Sequence, residues 1–482
     1  MMPEKKPNIL FLLIDSLNSR NCFGNEKTSI TPNINSLIDN GVYFDQVIAC
    51  APTTVPSICS MFTGTYPFNA TVLDGNHYKL NTKIQNFVSI LEKNDYHVKA
   101  MIPDGIKHIG LEKIFHENLD VFNSFSTTYD ELGHKIIDSL RADKMKHPWF
   151  LYVHLYDLHG SATFYKNKPN DFENTKFGKN QYDRMISALD AWIGKFLQII
   201  DKDNTLVILT ADHGSDVGTY DSELEEYHRY WDNTRNKIHQ NKSLVNAGVR
   251  ITSKIPKKLI PFKKKISKKI NQEKKDDEEY IIQSEFDKIE EKHSGGYKKR
   301  RLKNCVHITT QCFDDRYKIP LIFYGKFVPS DLKIHNQIRN IDIFPTVLEL
   351  LDIKFTNTNI MAASLLPLIK GKKIDELIAY VDSIGNNMDQ RTDNTIGIRY
   401  AGLKYFRDRK KPNYNVHLYD LNKDPCEENN ICKEYPDIIK KKESVLSKIS
   451  ANNKFQADSI QSLTSKKEEE KVDEILKKLG YK

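Results

Sequence analysis

No apolar run in this chain is long enough to cross a bilayer as a helix. The first, Asn8–Ile14, is a third of the necessary length and is followed by no small-residue cleavage site, so it reads as a buried strand and not as an export signal. Cysteine is scarce: seven (Cys22, Cys50, Cys59, Cys305, Cys312, Cys426 and Cys432) are scattered over 482 residues. An odd, unpatterned set of this kind excludes a disulfide scaffold and fits reduced thiols, from which a cytoplasmic location is expected. Cys305, His307 and Cys312 lack the second ligand pair of a structural zinc site. Internal repeats are absent, and so is any nucleic-acid reader motif. The net charge of +8 therefore has a local meaning: it collects at Lys257, Lys258, Lys263–Lys265, Lys268, Lys269 and Lys298–Arg301, with no aromatic residues interleaved, as a solvated insertion would.

What is present is a large globular chain. Hydrophobic residues at 39% are enough for a core, and the length predicts one large domain plus a smaller one. Short apolar runs bounded by turn residues (Ile9–Ile14, Val98–Ile102, Trp149–Leu155, Leu206–Leu209, Pro320–Tyr324) alternate with helical patterns. That alternation predicts a largely parallel α/β sheet. Thr31-Pro32 opens a helix with a cap residue and a proline at the first helical position. Further helices are expected over Lys83–Asn94, Tyr182–Ile200 and Ile343–Leu351. From about 254 to 304 the texture becomes Lys/Glu/Asp-rich, an insertion in the large domain, which spans 1–370. A small C-terminal α+β domain is expected over 371–482, with strands over Ile396–Phe406 and Val416–Leu421, a helix over Tyr435–Ile449 and a charged helical tail over Lys466–Lys478.

Two strands end in metal-type ligands. Asp15 closes the first apolar run, and Asp212-His213-Gly214 closes Thr205–Thr210; in an open α/β sheet both would emerge in the crevice beyond the carboxyl strand ends. Two carboxylates and one imidazole suit a divalent cation, which lowers the pKa of a coordinated hydroxyl. Thr54, in Ala51-Pro-Thr-Thr54-Val-Pro56-Ser57, is the candidate hydroxyl, ahead of a helix expected to start at Ser57 with its N-terminus facing an anion. His159 and His307 sit in loops at strand ends and are candidates to bind a substrate oxyanion or protonate a leaving group. His154 reads as structural. Lys404 reads first as a surface lysine, and second as a group at the substrate mouth.

These segments closely resemble the sulfatase family of the alkaline phosphatase superfamily. The likeness runs through Pro7–Asp15, Thr31–Phe44, Thr54–Pro67, Asp157–His159, Leu209–Gly214, Ile319–Ile322, Ile341–Thr346, Ser364–Leu368 and Leu418–Pro425, nearly end to end. It implies an alkaline-phosphatase-like, doubly wound mixed sheet sandwiched by helices. It also implies one divalent metal ion (Mn, Zn, Mg or Ca) on Asp15, Asp212, His213 and Thr54, with Thr54 as nucleophile and His159 and His307 on the substrate anion. Two departures matter. Formylglycine-type sulfatases carry Cys or Ser where this chain has Thr54 and Arg where it has Ile58, and threonine cannot become formylglycine. Ser16 stands where a second carboxylate often follows the first.

The expectation is a metal-dependent hydrolase or transferase acting on a phosphate-type or sulfate ester through Thr54. Its partner would be a small-molecule, glycan or lipid-linked anionic ester, with no nucleic acid involved. A formylglycine-independent sulfuric ester hydrolase and a catalytically degenerate binding protein are the alternatives.

Overall fold

The structure, a computed structural model, describes residues 6–25, 27–141, 145–159, 170–215, 222–241, 280–306, 311–356, 360–387 and 394–451. Its centre is β1 (Asn8–Ile14), buried along its whole length. Such a strand cannot alternate apolar and polar residues, because both of its faces are covered. The main sheet also contains β2 (Gly41–Ile48), β5 (His97–Pro103), β6 (Leu119–Phe122), β7 (Trp149–Leu155), β8 (Thr205–Thr210), β9 (Lys318–Tyr324), β10 (Leu332–Ile334) and β11 (Ile338–Arg339); β3 (Thr71–Asp74) and β4 (His77–Leu80) form a separate hairpin. The strand order is β10-β2-β9-β8-β1-β7-β5-β6, with β11 also on β2.

Parallel pairing of β1 with both β7 and β8 places the site. Leu13 aligns with His154 on one side and with Thr210 on the other. Two residues further along, the same register brings Asp15 beside Asp212.

The sheet is mixed because β9 runs antiparallel to both β2 and β8. Pro320 lies inside this central strand, where it cannot donate to the ladder. The partner strand accommodates it: β2 is irregular between Phe44 and Val47, so that Leu321 pairs with Phe44 and Ile319 with Val47 while Pro320 faces the bulge. The Pro320 carbonyl is still used, accepting from Thr210 Oγ1 at 2.8 Å.

Three helices frame the site: α1 (Pro32–Asp39), α2 (Thr54–Thr63) and α3 (Gln181–Ile199). The helix expected over Lys83–Asn94 is shorter, Phe87–Lys93, because the Asn86 side chain caps it by accepting from Ser89 N at 2.9 Å. The C-terminal sheet is β12 (Ala379–Asp382), β13 (Thr395–Tyr400), β14 (Leu403–Asp408) and β15 (His417–Asp420), antiparallel throughout, followed by the helix Pro436–Ala451. The strand expected over Ile396–Phe406 is in fact a hairpin. Ala401 and Gly402 both have positive φ, 55° and 66°, the left-handed pair that a tight two-residue turn requires.

The chain divides into two compact units, 1–219 with 310–482, and 220–309. The second contains the helices Ser222–Asn241, 280–292 and Gly296–Val306. Its basic run is paired: Lys298 Nζ lies 2.8 Å from Glu223 Oε2, and Lys299 Nζ 2.8 Å from Glu290 Oε2. Of the expected insertion, residues 254–279 lie outside the described residues, as does the expected tail helix over Lys466–Lys478. Among the described residues no helix is long and apolar enough to cross a membrane.

Candidate active site

Helix α2 starts at Thr54, three residues before the expected Ser57, because Thr53 is still extended and Pro56 is tolerated in a first turn. It ends at Gly64, whose φ of 66° is left-handed; a Cβ there would also lie 2.5 Å from the Phe344 ring. All ten residues of α2 are buried, Ile58 included, so the helix is a core element that presents Thr54 at its tip.

Asp15, Asp212 and His213 each offer a ligand atom, and these atoms lie within 4.8 Å of one another. Thr54 Oγ1 donates to Asp15 Oδ2 at 3.1 Å and lies 3.4 Å from His213 Nε2. Ser16 takes a non-glycine left-handed turn, φ 61°, which aims its groups back at both acids. Its hydroxyl donates to Asp15 Oδ1 at 2.7 Å and its backbone N–H to Asp212 Oδ1 at 3.1 Å. The His213 N–H donates to the same Asp212 oxygen at 2.8 Å.

The remaining atoms fit a cation. His213 Nδ1 lies 2.8 Å from the Gly214 carbonyl, which can only accept, so in the neutral imidazole the proton sits on Nδ1 and Nε2 is a bare acceptor. That bare nitrogen lies 3.4 Å from Asp212 Oδ2, which accepts no hydrogen bond among the described residues. Two acceptors facing each other in a buried site repel unless a proton or a cation lies between them. Oxygen donors with one imidazole suit a divalent ion.

The electrostatics agree. Burial alone would raise the Asp15 carboxyl, but the imidazoles of His159, His154 and His213 outweigh it and hold the group well below the carboxylate range. Burial pushes Asp212 up, and the neighbouring Asp15 charge adds to the rise. His159 is pushed down to about 4 by burial, against the pull of Asp15.

Thus Asp15, Thr54, Asp212 and His213 are brought together, with His159 in electrostatic reach. The His159 ring stacks on Tyr156 at 4.0 Å and 3° between planes. His307 lies outside the described residues. Cys50 and Cys59 are not substitute nucleophiles, since burial pushes Cys50 up to about 12 and Cys59 higher still, leaving both as inert thiols.

Two expectations need correction. Lys404 is not a surface lysine: it is fully buried, 2.6 Å from Asp314 Oδ1 and 3.0 Å from Glu427 Oε1. Nor does the start of α2 hold a row of open amides for an anion. Val55 N–H donates to Asn386 Oδ1 at 2.9 Å, Pro56 has no N–H, and Ser57 N–H donates to the Thr53 carbonyl at 3.3 Å. The Ser57 hydroxyl instead ties α2 to the metal-type strand end, donating to the Asp212 carbonyl at 2.6 Å.

Three further residues were not read as part of the site. His154 Nε2 lies 3.3 Å from Asp15 Oδ2, and its Nδ1 lies 3.1 Å from the Tyr152 hydroxyl. A signal for it existed, since strand neighbours of β1 must flank Asp15. Asn386 and Tyr182 had none, because each acts on a backbone group more than 150 positions away.

This mixed sheet carries a buried acid-imidazole-hydroxyl cluster beyond the carboxyl ends of its strands, within an α/β architecture. Residues 7–251 match the Sulfatase family model, and residues 310–453 match the model for the C-terminal part of N-sulphoglucosamine sulphohydrolase. The chain belongs to the sulfatase family. It is 27% identical to the ulvan-active sulfatase of Formosa agariphila over 234 residues, 44% of this chain and 45% of that protein. Human arylsulfatase D is 38% identical over 76 residues, 15% of this chain and 13% of its own. The chain thus spans less than half the length of the curated relatives it matches. Among solved structures, Ps i-CgsB in complex with k-i-k-neocarrahexaose superposes with a TM-score of 0.58 at 18% identity, covering 98% of each chain. The phosphonate monoester hydrolase of Agrobacterium radiobacter gives 0.58 at 14%, covering 93% of this chain and 96% of its own. At these identities the likeness is one of fold.

Proposed function

We propose that this protein is a metal-dependent ester hydrolase or transferase in which Thr54 attacks the phosphorus or sulfur centre of an anionic ester, a phosphate-type ester before a sulfate ester. The observation that carries this reading is the position of Thr54 Oγ1, at the buried tip of α2, 3.1 Å from Asp15 Oδ2 and 3.4 Å from His213 Nε2. A divalent ion held by Asp15, Asp212 and His213 would supply Lewis acidity that favours the alkoxide of Thr54 and offsets charge on the ester oxygens.

The protein's own groups supply the rest. Asp15 Oδ2 orients the Thr54 hydroxyl and is the nearest acceptor for its proton. The Thr54 Oγ bond to the central atom forms as the bond to the alcohol oxygen breaks, and the alcohol takes up the proton that Thr54 gave up. A second attack, by water or by an acceptor alcohol, then frees Thr54. His159, neutral at pH 7 because burial pushes it down to about 4, suits a hydrogen-bond donor to a non-bridging oxygen better than a standing acid.

Threonine also bears on the choice of ester. Oxidation at its Cβ, which carries two carbons, would give a ketone and not the formylglycine aldehyde, so the hydrated-aldehyde route to sulfate release is closed. The ester oxygen on Thr54 must be freed by direct attack, a route open to phosphoryl groups; that one structural neighbour is a phosphonate monoester hydrolase supports a phosphorus centre.

The test is intact-protein mass spectrometry of the metal-loaded protein and of Thr54→Ala after incubation with an aryl phosphate monoester, a phosphate diester and an aryl sulfate. The expected result is turnover, or an adduct with the mass of a phosphoryl group, that disappears in Thr54→Ala. A phosphoryl and a sulfuryl group add the same nominal mass, so the substrate identifies the group: an adduct or turnover formed with the aryl sulfate and not with the phosphate esters would move the assignment to a formylglycine-independent sulfatase. Turnover unchanged in Thr54→Ala would overturn the nucleophile.

A further inference from the structure

Helix α3 grips the early part of the chain with one polar side. Asp183 Oδ1 accepts from Asn21 Nδ2 at 2.8 Å, Ser187 Oγ from Ile30 N at 2.7 Å, and Asp190 Oδ1 from Ile34 N at 2.7 Å. Residues 183, 187 and 190 recur at the spacing of one helical side, with Tyr182 at its edge. Most of this comb holds the entry to α1. Its first tooth, Tyr182, reaches further, into the turn that follows Asp15.

Tyr182 is almost completely buried, and its hydroxyl is used twice. It donates to the Ser16 carbonyl at 2.6 Å and accepts from the Asn18 N–H at 3.0 Å. Those bonds bracket Ser16 at its left-handed φ of 61°, a conformation that is strained for a residue with a Cβ and persists only where the surroundings enforce it. In that conformation Ser16 sends its N–H to Asp212 and its hydroxyl to Asp15. One phenol therefore holds the turn that joins the two carboxylates.

We infer that Tyr182 is a positioning residue for the metal site: it sets the separation of Asp15 and Asp212 by locking Ser16 in the left-handed turn, without touching metal or substrate. The inference rests on the proposed metal-site reading. It concerns a residue outside the ligand set, on an element that supplies no ligand. Partners behind a ligand set commonly change metal affinity by about 10- to 100-fold when removed, and a loss in that range is expected here.

The experiment is Mn²⁺ titration by calorimetry of the wild type, Tyr182→Phe, Asp212→Asn and Tyr96→Phe, with folding followed by circular dichroism. Tyr96 is the control because it is also buried but its hydroxyl has no hydrogen-bond partner among the described residues. The expected result is Mn²⁺ binding about 10-fold or more weaker in Tyr182→Phe, abolished in Asp212→Asn and unchanged in Tyr96→Phe, with all four proteins folded. Wild-type affinity in Tyr182→Phe beside a dead Asp212→Asn would overturn the role of Tyr182 and leave the metal site standing. Wild-type affinity in Asp212→Asn would overturn the metal site and this inference with it. If Tyr182→Phe is too unstable for titration, the rise in Tm that saturating Mn²⁺ produces is compared in each variant; an undiminished rise in Tyr182→Phe overturns the inference.

Discussion

Two of the groups of buried charges in the larger unit are solved differently. Around Lys404, two acids meet two bases: Asp314 faces Lys404 at 2.6 Å and Arg399 at 3.2 Å, and Glu427 faces Lys404 at 3.0 Å. Burial would raise the Asp314 carboxyl, but the Arg399 and Lys404 cations hold it well below its ordinary range. Around Thr54, the basic groups that face Asp15 and Asp212 among the described residues are imidazoles, and Asp212 is pushed up by burial and by Asp15. Burying a charge is tolerable when it is paired and costly when it is not. The first cluster is balanced within the chain; the second, on the proposed reading, is balanced by a divalent cation.

The two are also in contact. The turn that begins at Asp314 supplies the Asp315 carbonyl to Asn18 Nδ2 at 2.9 Å and the Arg316 carbonyl to Gly214 N at 2.8 Å. A Cβ on Gly214 would lie 2.4 Å from the Asp315 carbonyl oxygen, so the residue after His213 has room only for hydrogen. The first cluster braces the loops of the second.

This contrast can be broken at either end. The largest expected effect is that of Thr54→Ala, which should reduce turnover by about 10³-fold or more while circular dichroism stays native, because the proposed nucleophile is lost while Asp15 Oδ2 keeps His154 Nε2 at 3.3 Å. Next is Lys404→Met, which leaves Asp314 and Glu427 short of a cation. A loss of about 3–5 kcal/mol is expected in denaturant unfolding, with partial recovery on adding Glu427→Gln. Metal removal comes third. Chelation should lower the Tm of the wild type, and an ion restored at 100 times its Kd should return about 2.7 kcal/mol, whereas Asp212→Asn should show no such response.

The smallest effect sharpens the comparison with a third kind of acid, one that has neither a cation nor a metal. Asp157 is pushed up to about 6 by burial, although Thr128 donates to it through its N–H at 2.9 Å and its hydroxyl at 2.7 Å. A folded pKa above the unfolded value near 3.8 means that the folded state holds this proton longer. Its contribution to stability is therefore full below about pH 4 and is lost as pH rises through 6. Asp157→Asn should flatten that part of the stability-pH curve, by a single proton; an unchanged slope would show that Asp157 titrates normally.

Much of this molecule was legible in one dimension. Apolar runs such as Asn8–Ile14 and Thr205–Thr210 became central strands because a fully covered strand needs side chains that are apolar on both faces. Acids placed directly after such runs must emerge at the sheet's edge, so Asp15 and Asp212 could be paired from sequence alone. The start of α1 at Pro32 and the span of α3 were equally local, set by caps and periodicity.

Only the tertiary structure decided the rest, and in each case the reason is separation along the chain. Lys404 looks like any lysine until Asp314, 90 positions away, and Glu427 are folded against it. Asn386 occupies a donor of α2 from 331 positions away. Tyr182 reaches Ser16 across 166. Pro320 fits inside β9 only because β2, more than 270 positions earlier in the chain, is irregular opposite it. Hydrophobic periodicity records which residues leave water; it carries no record of which polar atoms then meet, because that depends on register and on the paths of loops between strands.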